Sequence, residues 1–218
     1  EEQVRIGVLA KRGSEICLQK WTPTAEYLSK QIDGYFFIII PLKFEEIVPA
    51  VKNKTIDFVL ANPSFYVELE YLYNASRIVT LKNLRKGQVV TEFGGVIFTK
   101  KDRKDITRLS DFKNKKFMAV KETSFGGWRT AWREFVDAGI NPYKDFQSLS
   151  FAGTHDSVVF AVLNGLVDGG TVRTEILERL ANDGKININN FNIFHEHLGD
   201  EHLPFAHATR SYPEWPLA

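Results

Sequence analysis

Short apolar runs alternate with helical stretches along the first part of the chain. Residues 35–40 form a continuous apolar run, which is typical of a strand buried on both faces. Residues 14–32 have a helical period, and we predict two pieces, the second capped by Thr22 with Pro23 in its first position. The pattern predicts strands at 4–10, 35–40, 56–61 and 78–82 and helices at 14–32, 44–53 and 64–73.

The second part of the chain repeats this scheme after a polar stretch at residues 84–92. That stretch has no helical period, and we predict that it crosses between two lobes. Gly139, Gly165 and Gly184 each end a predicted helix. The pattern predicts strands at 96–99, 116–120, 148–151, 166–172, 191–195 and 205–209 and helices at 105–113, 128–138, 155–164 and 173–182.

The alternation of strands and helices predicts mostly parallel sheets covered by helices. We therefore predict the α/β class, with two α/β lobes joined by two hinge crossovers. The first lobe comprises residues 1–90 plus 204–218, and the second comprises 91–203. In open sheets of this kind, ligands bind outside the carboxyl ends of the strands, where helix N-termini attract anions.

Two strand-to-helix turns combine a capping residue with a second polar side chain. Asn62 is predicted to cap one helix while Ser64 and its amide face a ligand; an ordinary capped helix is the alternative. Thr154 is predicted to cap another helix, with His155 in its first turn. The helix dipole there disfavours protonation of His155, whose neutral ring could still donate one hydrogen bond. A histidine that merely packs is the alternative.

The turn at residues 121–128 is the strongest candidate for an anion site. It combines the hydroxyls of Thr123 and Ser124 with Gly126 and Gly127 before a helix. Glycines let the backbone approach an oxyanion closely. The turn is neither a phosphate-binding P-loop nor a dinucleotide fingerprint, because it lacks both glycine patterns. A flexible capped turn is the alternative.

Basic residues near the remaining turns supply candidate positive charge. Thr171 and Arg173 follow a glycine pair, and Arg173 is predicted to begin a helix, where its charge is unfavourable for the helix itself. A ligand carboxylate, phosphonate or sulfonate would explain that placement, and a surface arginine is the alternative. Arg12 follows the first strand and could add charge to a cleft or form a solvated turn.

Composition excludes several classes of function. The 28 basic and 27 acidic residues give a net charge of +1, which argues against a nucleic-acid binder. Cys17 is the single cysteine, so neither an internal disulfide nor a cysteine-cluster metal site can form. His195, Glu196, His197 and His202 lack tight ligand spacing, so we predict no metal. No apolar run approaches the length of a membrane span, and we expect no cofactor.

Catalysis has little support in the sequence. No nucleophile elbow and no zinc-protease motif is present. Ser124 and His155 could pair, but no carboxylate is marked to orient them. Cys17 is more typical of a small buried hydrophobic residue than of a reactive thiol. We therefore predict a binding domain and no enzyme.

Taken in order, these turns resemble the substrate-binding proteins of phosphate and phosphonate transporters, which have the type II periplasmic-binding-protein fold. The likeness covers nearly the whole chain. The matching segments are Ile6-Gly7-Val8-Leu9, Ile56-Asp57, Asn62-Pro63, Tyr66, Leu109-Ser110-Asp111-Phe112-Lys113-Asn114-Lys115, Thr123-Ser124-Phe125-Gly126-Gly127, Thr154-His155-Asp156-Ser157 and Gly165-Leu166-Val167-Asp168-Gly169-Gly170.

A subset of segments resembles the sensor domains of membrane histidine kinases, including those of the tetrathionate-sensor type. In those proteins the last of these segments precedes a membrane helix, and the resemblance implies an excised sensor domain. The segments are Val8-Leu9-Ala10, Trp21-Thr22-Pro23-Thr24-Ala25-Glu26-Tyr27-Leu28-Ser29 and Tyr212-Pro213-Glu214-Trp215-Pro216-Leu217-Ala218.

The resemblance implies roles for individual residues. The turn 123–127 matches the family's hydroxyl-rich oxyanion loop, although Phe125 and Gly127 depart from its usual Ser-Thr-Ser-Gly sequence. His155 matches a ligand-contacting histidine, and Tyr66 matches a first-lobe contact. The acidic residues that would hold an aminophosphonate amine are not evident. Some relatives sense arsenite through a lone first-lobe cysteine, a role that remains open for Cys17.

The resemblance implies the extracytoplasmic, membrane-anchored sensing domain of a two-component histidine kinase. Such a domain would bind a small anionic solute between its lobes and signal by lobe closure. Its partners would be that ligand and the membrane and cytoplasmic kinase regions of the same chain, with a homodimer left open. The alternatives are a free periplasmic binding protein of a phosphate/phosphonate-type transporter, an enzyme of the same fold and a ligandless docking module.

Overall fold

The computed structural model describes residues 1–85, 87–194 and 203–218. The chain divides into two compact units, residues 1–81 with 214–218 and residues 82–213, so it passes between them twice. The helices are α1 (Ser14–Gln31), α2 (Ile47–Lys52), α3 (Pro63–Tyr73), α4 (Thr130–Asp137), α5 (Pro142–Asp145), α6 (His155–Leu163) and α7 (Ile176–Asn182). The strands are β1 (Glu2–Leu9), β2 (Tyr35–Leu42), β3 (Phe58–Leu60), β4 (Val79–Thr80), β5 (Asn83–Arg85), β6 (Gln88–Val90), β7 (Glu92–Phe93), β8 (Gly95–Lys100), β9 (Lys116–Ala119), β10 (Ser148–Phe151), β11 (Gly169–Arg173), β12 (Phe191–Ile193), β13 (Tyr212–Pro213) and β14 (Pro216–Leu217).

The first unit is a five-stranded sheet with the order β2-β1-β3-β14-β4. Strands β1, β2 and β3 are parallel, whereas β14 runs antiparallel to β3 and β4. Although β2 is apolar and lies at an edge, that edge is partly closed. The Phe37 N–H donates to Ser29 on α1, the Tyr35 N–H donates to the Ile32 carbonyl, and Pro41 has no N–H.

The prediction of two helical pieces at residues 14–32 is wrong, because helix α1 is a single helix. It is continuous from Ser14 to Gln31 with Pro23 in its interior, so Thr22 does not cap a new helix. An interior proline removes one backbone hydrogen bond and is costly. Burial of Cys17 before the proline and of Ala25 after it offsets this cost, since α1 packs on β2.

The second unit is built on a mixed five-stranded sheet with the order β10-β9-β11-β8-β12. Strand β9 is parallel to β10 and β11, whereas β8 is antiparallel to β11 and β12. Alternate residues of β8 enter separate cores. Ile97 packs with Trp128 on one face of the sheet, and Val96 and Phe98 pack with Val158 on the other. Both faces of this sheet are therefore buried.

The region predicted as an irregular crossover contains regular structure. Strands β5 and β6 form a hairpin with Asn83 opposite Val90, and Gly87 has a φ of 76°. Strand β7 then pairs antiparallel with β13, with Phe93 opposite Tyr212. Strand β13 ends where the chain leaves the second unit, whereas β7 lies inside that unit, after the hairpin.

Two further predictions of secondary structure are wrong. Residues 205–209 do not form a strand; instead, the N–H groups of Ala208 and Thr209 both donate to the Gly95 carbonyl. Arg173 does not begin a helix, because it is the last residue of β11, and α7 starts at Ile176. In both cases long-range pairing with β8 fixes the backbone, and local pattern does not report such pairing.

The helix predicted at 105–113 is also wrong, because the structure has only a short 3₁₀ turn at Leu109–Phe112, within one of the family motifs. Asp111 accepts hydrogen bonds from the backbone N–H groups of Thr107, at 2.9 Å, and Arg108, at 3.2 Å. These bonds, that of Thr107 first, lower the pKa of Asp111 from 3.8 to about 2. The charged carboxylate thus closes the turn that leads into β9.

The Asp111 cap predicts a pH-dependent contribution to stability. A carboxyl group whose folded pKa is depressed stabilises the fold above its unfolded pKa, and this stabilisation is lost as pH falls through the folded pKa. We expect Asp111→Asn to lower the melting temperature at pH 7, with the difference shrinking between about pH 4 and pH 2. Melting curves of both proteins across this range test it; a difference independent of pH would contradict it.

Candidate functional site

Three of the predicted turns meet within the second unit. The Arg173 N–H, at the end of β11, donates to His155 Nδ1, in the first turn of α6, at 3.3 Å. Gly126 lies against the Arg173 side chain, since a Cβ at Gly126 would lie 3.1 Å from Arg173 Cβ and Cγ. The turn 123–127, the start of α6 and the end of β11 therefore form one cluster.

The glycine-rich turn takes an unusual backbone form. Residues Phe125–Arg129 form a single π-helical turn, in which the Arg129 N–H donates to the Ser124 carbonyl at 3.1 Å. Single π turns occur often at functional sites. Ser124 is only 4% exposed, and a Cβ at Gly127 would lie 2.6 Å from its Oγ. Only glycine at position 127 leaves room for this hydroxyl.

The hydrogen bond to His155 defines its chemistry. Because Nδ1 accepts from a backbone N–H, it carries a lone pair, and the neutral ring then has its hydrogen on Nε2. Thr154 holds the start of α6, since its Oγ1 accepts from the Ser157 N–H at 3.2 Å. Position 155 therefore presents a neutral donor beside the anion-attracting end of a helix.

Arg173 is a largely buried cation, 7% exposed, and its guanidinium lies 4.1 Å from the centre of the Phe93 ring. The backbone that follows is also constrained. Glu175 has a φ of 81°, and its carboxylate forms an ion pair with Arg85, with 2.6 Å between Glu175 Oε2 and Arg85 Nε. Thr171 is fully buried within β11, and its Oγ1 has no hydrogen-bond partner among the described residues. Arg173 is therefore the charged group that β11 contributes to the cluster.

The candidates in the first unit have a different character. The buried Asn62 caps α3, with Oδ1 accepting from the Ser64 N–H at 2.9 Å and from the Phe65 N–H at 3.3 Å. Tyr66 donates to Glu70, and this hydrogen bond raises the pKa of Tyr66. Arg12 is exposed in the turn between β1 and α1. The predicted cap at Asn62 is confirmed, whereas ligand contact by these residues stays a prediction.

Among the described residues, the other chemical candidates do not form a reactive centre. Cys17 is buried, with Sγ 4.0 Å from the Val8 carbonyl oxygen, and burial raises the pKa of its thiol, which disfavours the reactive thiolate. The described residues contain no group of three potential metal ligands. The sequence candidates His195, Glu196, His197 and His202 lie outside the described residues. Among the helices that the structure describes, none has the length and apolarity to cross a bilayer.

Sequence reasoning missed Phe93 as part of this site. It is 80 positions before Arg173, and nothing in its local pattern distinguishes it from a core residue. In the sequence, Phe125 is distinguished only by its departure from the family's Ser-Thr-Ser-Gly loop. The structure shows its ring edge-on to Phe93, with ring centres 5.6 Å apart. This departure from the family's loop is the one feature of the sequence that points to these aromatic contacts.

The chain resembles known proteins over nearly its whole length. The family described as ABC transporter, phosphonate, periplasmic substrate-binding protein matches residues 6–218. The tetrathionate sensor histidine kinase TtrS of Salmonella typhimurium is 32% identical over 215 residues, which cover 98% of this chain and 36% of that protein. The chain thus spans little more than a third of this relative.

Solved structures share the fold at low identity. A binding protein component of an ABC phosphonate transporter from Pseudomonas aeruginosa has a TM-score of 0.71 and 19% identity, covering 100% of this chain and 68% of its own. PhnD1 of Prochlorococcus marinus, in complex with methylphosphonate, has a TM-score of 0.71 and 18% identity, covering 99% and 75% respectively. These matches identify the type II periplasmic-binding-protein fold.

Proposed function

The chain belongs to the phosphonate family of periplasmic substrate-binding proteins, and from this premise we propose that it is the ligand-sensing domain of a membrane histidine kinase. The family is extracytoplasmic, and its fold is that of a binding protein. The proposed ligand is a small oxyanion. The observation that carries the proposal is the cluster of the Ser124 turn, His155 and Arg173 in the second unit.

The chemistry of that cluster suits an anion with several oxygens. Arg173 supplies a positive charge with several donors in a fixed plane, which matches the spacing of oxyanion oxygens. Neutral His155 supplies its Nε2–H as a hydrogen-bond donor to the anion, and this interaction does not require protonation of the ring. The N–H groups at the start of α6 add the positive end of the helix dipole. Thr123, Ser124, Gly126, Gly127 and Thr154 complete the proposed contacts in this unit.

The remaining parts of the proposal rest on the relatives. Arg12, Asn62, Ser64 and Tyr66 are proposed to contribute from the first unit, with Thr171 supporting Arg173 from within β11. Lobe closure on the ligand would be the signal. Anchoring in the membrane and the kinase regions are proposals that the 32% identity to a sensor kinase favours. A homodimer is a separate proposal. Catalysis by this domain is not part of the proposal.

An anion panel tests this function. We expect phosphate, methylphosphonate, sulfate or tetrathionate to raise the melting temperature, because a ligand at a hundred times its Kd stabilises the folded state by about 2.7 kcal/mol. Sodium chloride at matched ionic strength is the control, since specific binding exceeds any screening effect. The absence of a shift with every anion would contradict the proposal.

A free transporter binding protein is the second candidate, favoured by the family match over residues 6–218. Both candidates predict the same anion binding. Fractionation of the full-length gene product separates them: a sensor stays with the membrane after a high-salt wash, whereas a free binding protein is released with the periplasmic contents.

A further inference from the structure

Three aromatic rings join the proposed anion site to strands β7 and β13, the second of which ends where the chain leaves the second unit. Phe125 is edge-on to Phe93 on β7, with ring centres 5.6 Å apart at 64°, and to Tyr212 on β13, with ring centres 5.0 Å apart at 88°. Phe93 and Tyr212 are themselves paired across the β7–β13 ladder. We refer to Phe93, Phe125 and Tyr212 as the crossover triad.

The site contacts the crossover triad twice. Phe125 opens the π turn that carries Ser124 and Gly126, so its ring moves with the backbone of the proposed oxyanion loop. The Arg173 guanidinium lies face-on over the Phe93 ring at 4.1 Å. A cation in that position is attracted to the ring, and the attraction changes if the cation turns towards an anion. Both the loop and the charge therefore act on the same rings.

The strands that receive these contacts rely on side-chain contacts, among them the hydrogen bond that Ser211 donates to Glu92. Strands β7 and β13 have two residues each, and such a short ladder is marginal without side-chain packing. The far end of the π turn is fixed, since Trp128 is fully buried in the core of the second unit. The Phe125 ring, by contrast, is only partly buried and packs on Phe93 and Tyr212, so a change in the turn would act on these two rings.

We propose that Phe125 is the positioning residue that transmits anion binding from the loop 123–127 and Arg173 to the β7–β13 crossover ladder. This inference rests on the proposed function and goes beyond it, because it assigns the coupling to one aromatic contact. It also gives the departure from the family's Ser-Thr-Ser-Gly loop a physical role. A serine at this position could bind an anion but could not reach two rings.

Hydrogen exchange at saturating anion tests the coupling. The probe is whichever of phosphate, methylphosphonate, sulfate and tetrathionate gives the largest melting shift. In the wild type we expect the anion to slow exchange of the amides of residues 92–95 and 210–212 at least about fivefold, the lower end of typical coupling between sites. In Tyr212→Leu and in Phe125→Leu, each saturated with the same anion, we expect this slowing to disappear.

A matched control and two outcomes make the test decisive. Phe191→Leu removes another edge-on ring of the second unit, 5.5 Å from Phe98 and outside the site, and is expected to keep the slowing. Tyr212→Phe retains the ring and should behave as the wild type. Equal slowing in Tyr212→Leu and the wild type would overturn the coupling while leaving the proposed function intact. The absence of anion binding to the wild type would overturn the proposed function, and the coupling with it.

Discussion

Replacing Arg210 with methionine is expected to destabilise the second unit by about 2 kcal/mol, because it strips the ion pair from a buried carboxylate. Glu134 on α4 is only 4% exposed, and it accepts bonds from Arg210 Nε at 3.0 Å and Nη2 at 3.2 Å. Breaking a fully buried pair costs about 3 to 5 kcal/mol. The Arg210 side chain is 41% exposed, so water screens part of the interaction and lowers the cost.

The melting temperature of Arg210→Met should fall by roughly 4 to 8 °C, as expected for this loss in a domain of this size. Arg133→Met is the matched control, because Arg133 pairs with Asp137, an exposed carboxylate that Arg210 also contacts, and the loss of such an exposed pair should change stability little. The double variant Arg210→Met with Glu134→Met should recover much of the loss, since an apolar pair removes the buried charge. Equal melting temperatures of Arg210→Met and Arg133→Met would contradict the assignment.

Replacing Arg173 with methionine is expected to weaken anion binding roughly tenfold to a hundredfold, because a hydrogen bond to a charged group contributes about 1.5 to 3 kcal/mol. Methionine keeps an apolar stem against Phe93 and Gly126 while it removes the guanidinium. Calorimetric titration with the best anion of the panel measures the change. Arg173→Lys should bind with intermediate affinity, because lysine keeps the charge but loses the planar donors.

The control for this experiment is Arg108→Met, which removes a charge of the same sign from an exposed position of the second unit. The Arg108 side chain is 77% exposed, and its change should leave the affinity within about twofold, as expected for a screened surface charge. If both variants bind equally well, Arg173 is not a ligand contact. If both lose affinity equally, binding reflects net charge and no formed site.

The elements of the site were predictable where local chemistry fixes them. Asn62 before Pro63 and Thr154 before His155 each place a capping oxygen where helix N–H groups require one, and the structure has both caps. The strand ahead of Asn62 followed from its apolar run. The likeness of the ordered turns to a binding-protein family added the fold, which the matched residues 6–218 confirm.

The prediction of secondary structure failed where long-range contacts determine the backbone conformation. Pro23 is a helix-start signal by itself, yet α1 continues through it because the helix packs on β2 and buries Cys17 before the proline and Ala25 after it. Arg173 follows a glycine pair in a pattern that suggests a turn, yet antiparallel pairing with β8 extends the strand to include it. Local propensities are small beside the burial of a whole helix or strand face.

The sequence by itself determined the α/β class, the capped turns and the family, because periodicity, caps and ordered motifs are properties of neighbouring residues. Only the tertiary structure decided that Arg173 lies on Phe93, that its N–H fixes the His155 ring, and that Phe125 reaches Phe93 and Tyr212. These contacts join residues 18 to 87 positions apart in the chain. They exist because strand pairing brings those backbones together, and no local pattern encodes the partner of a pairing.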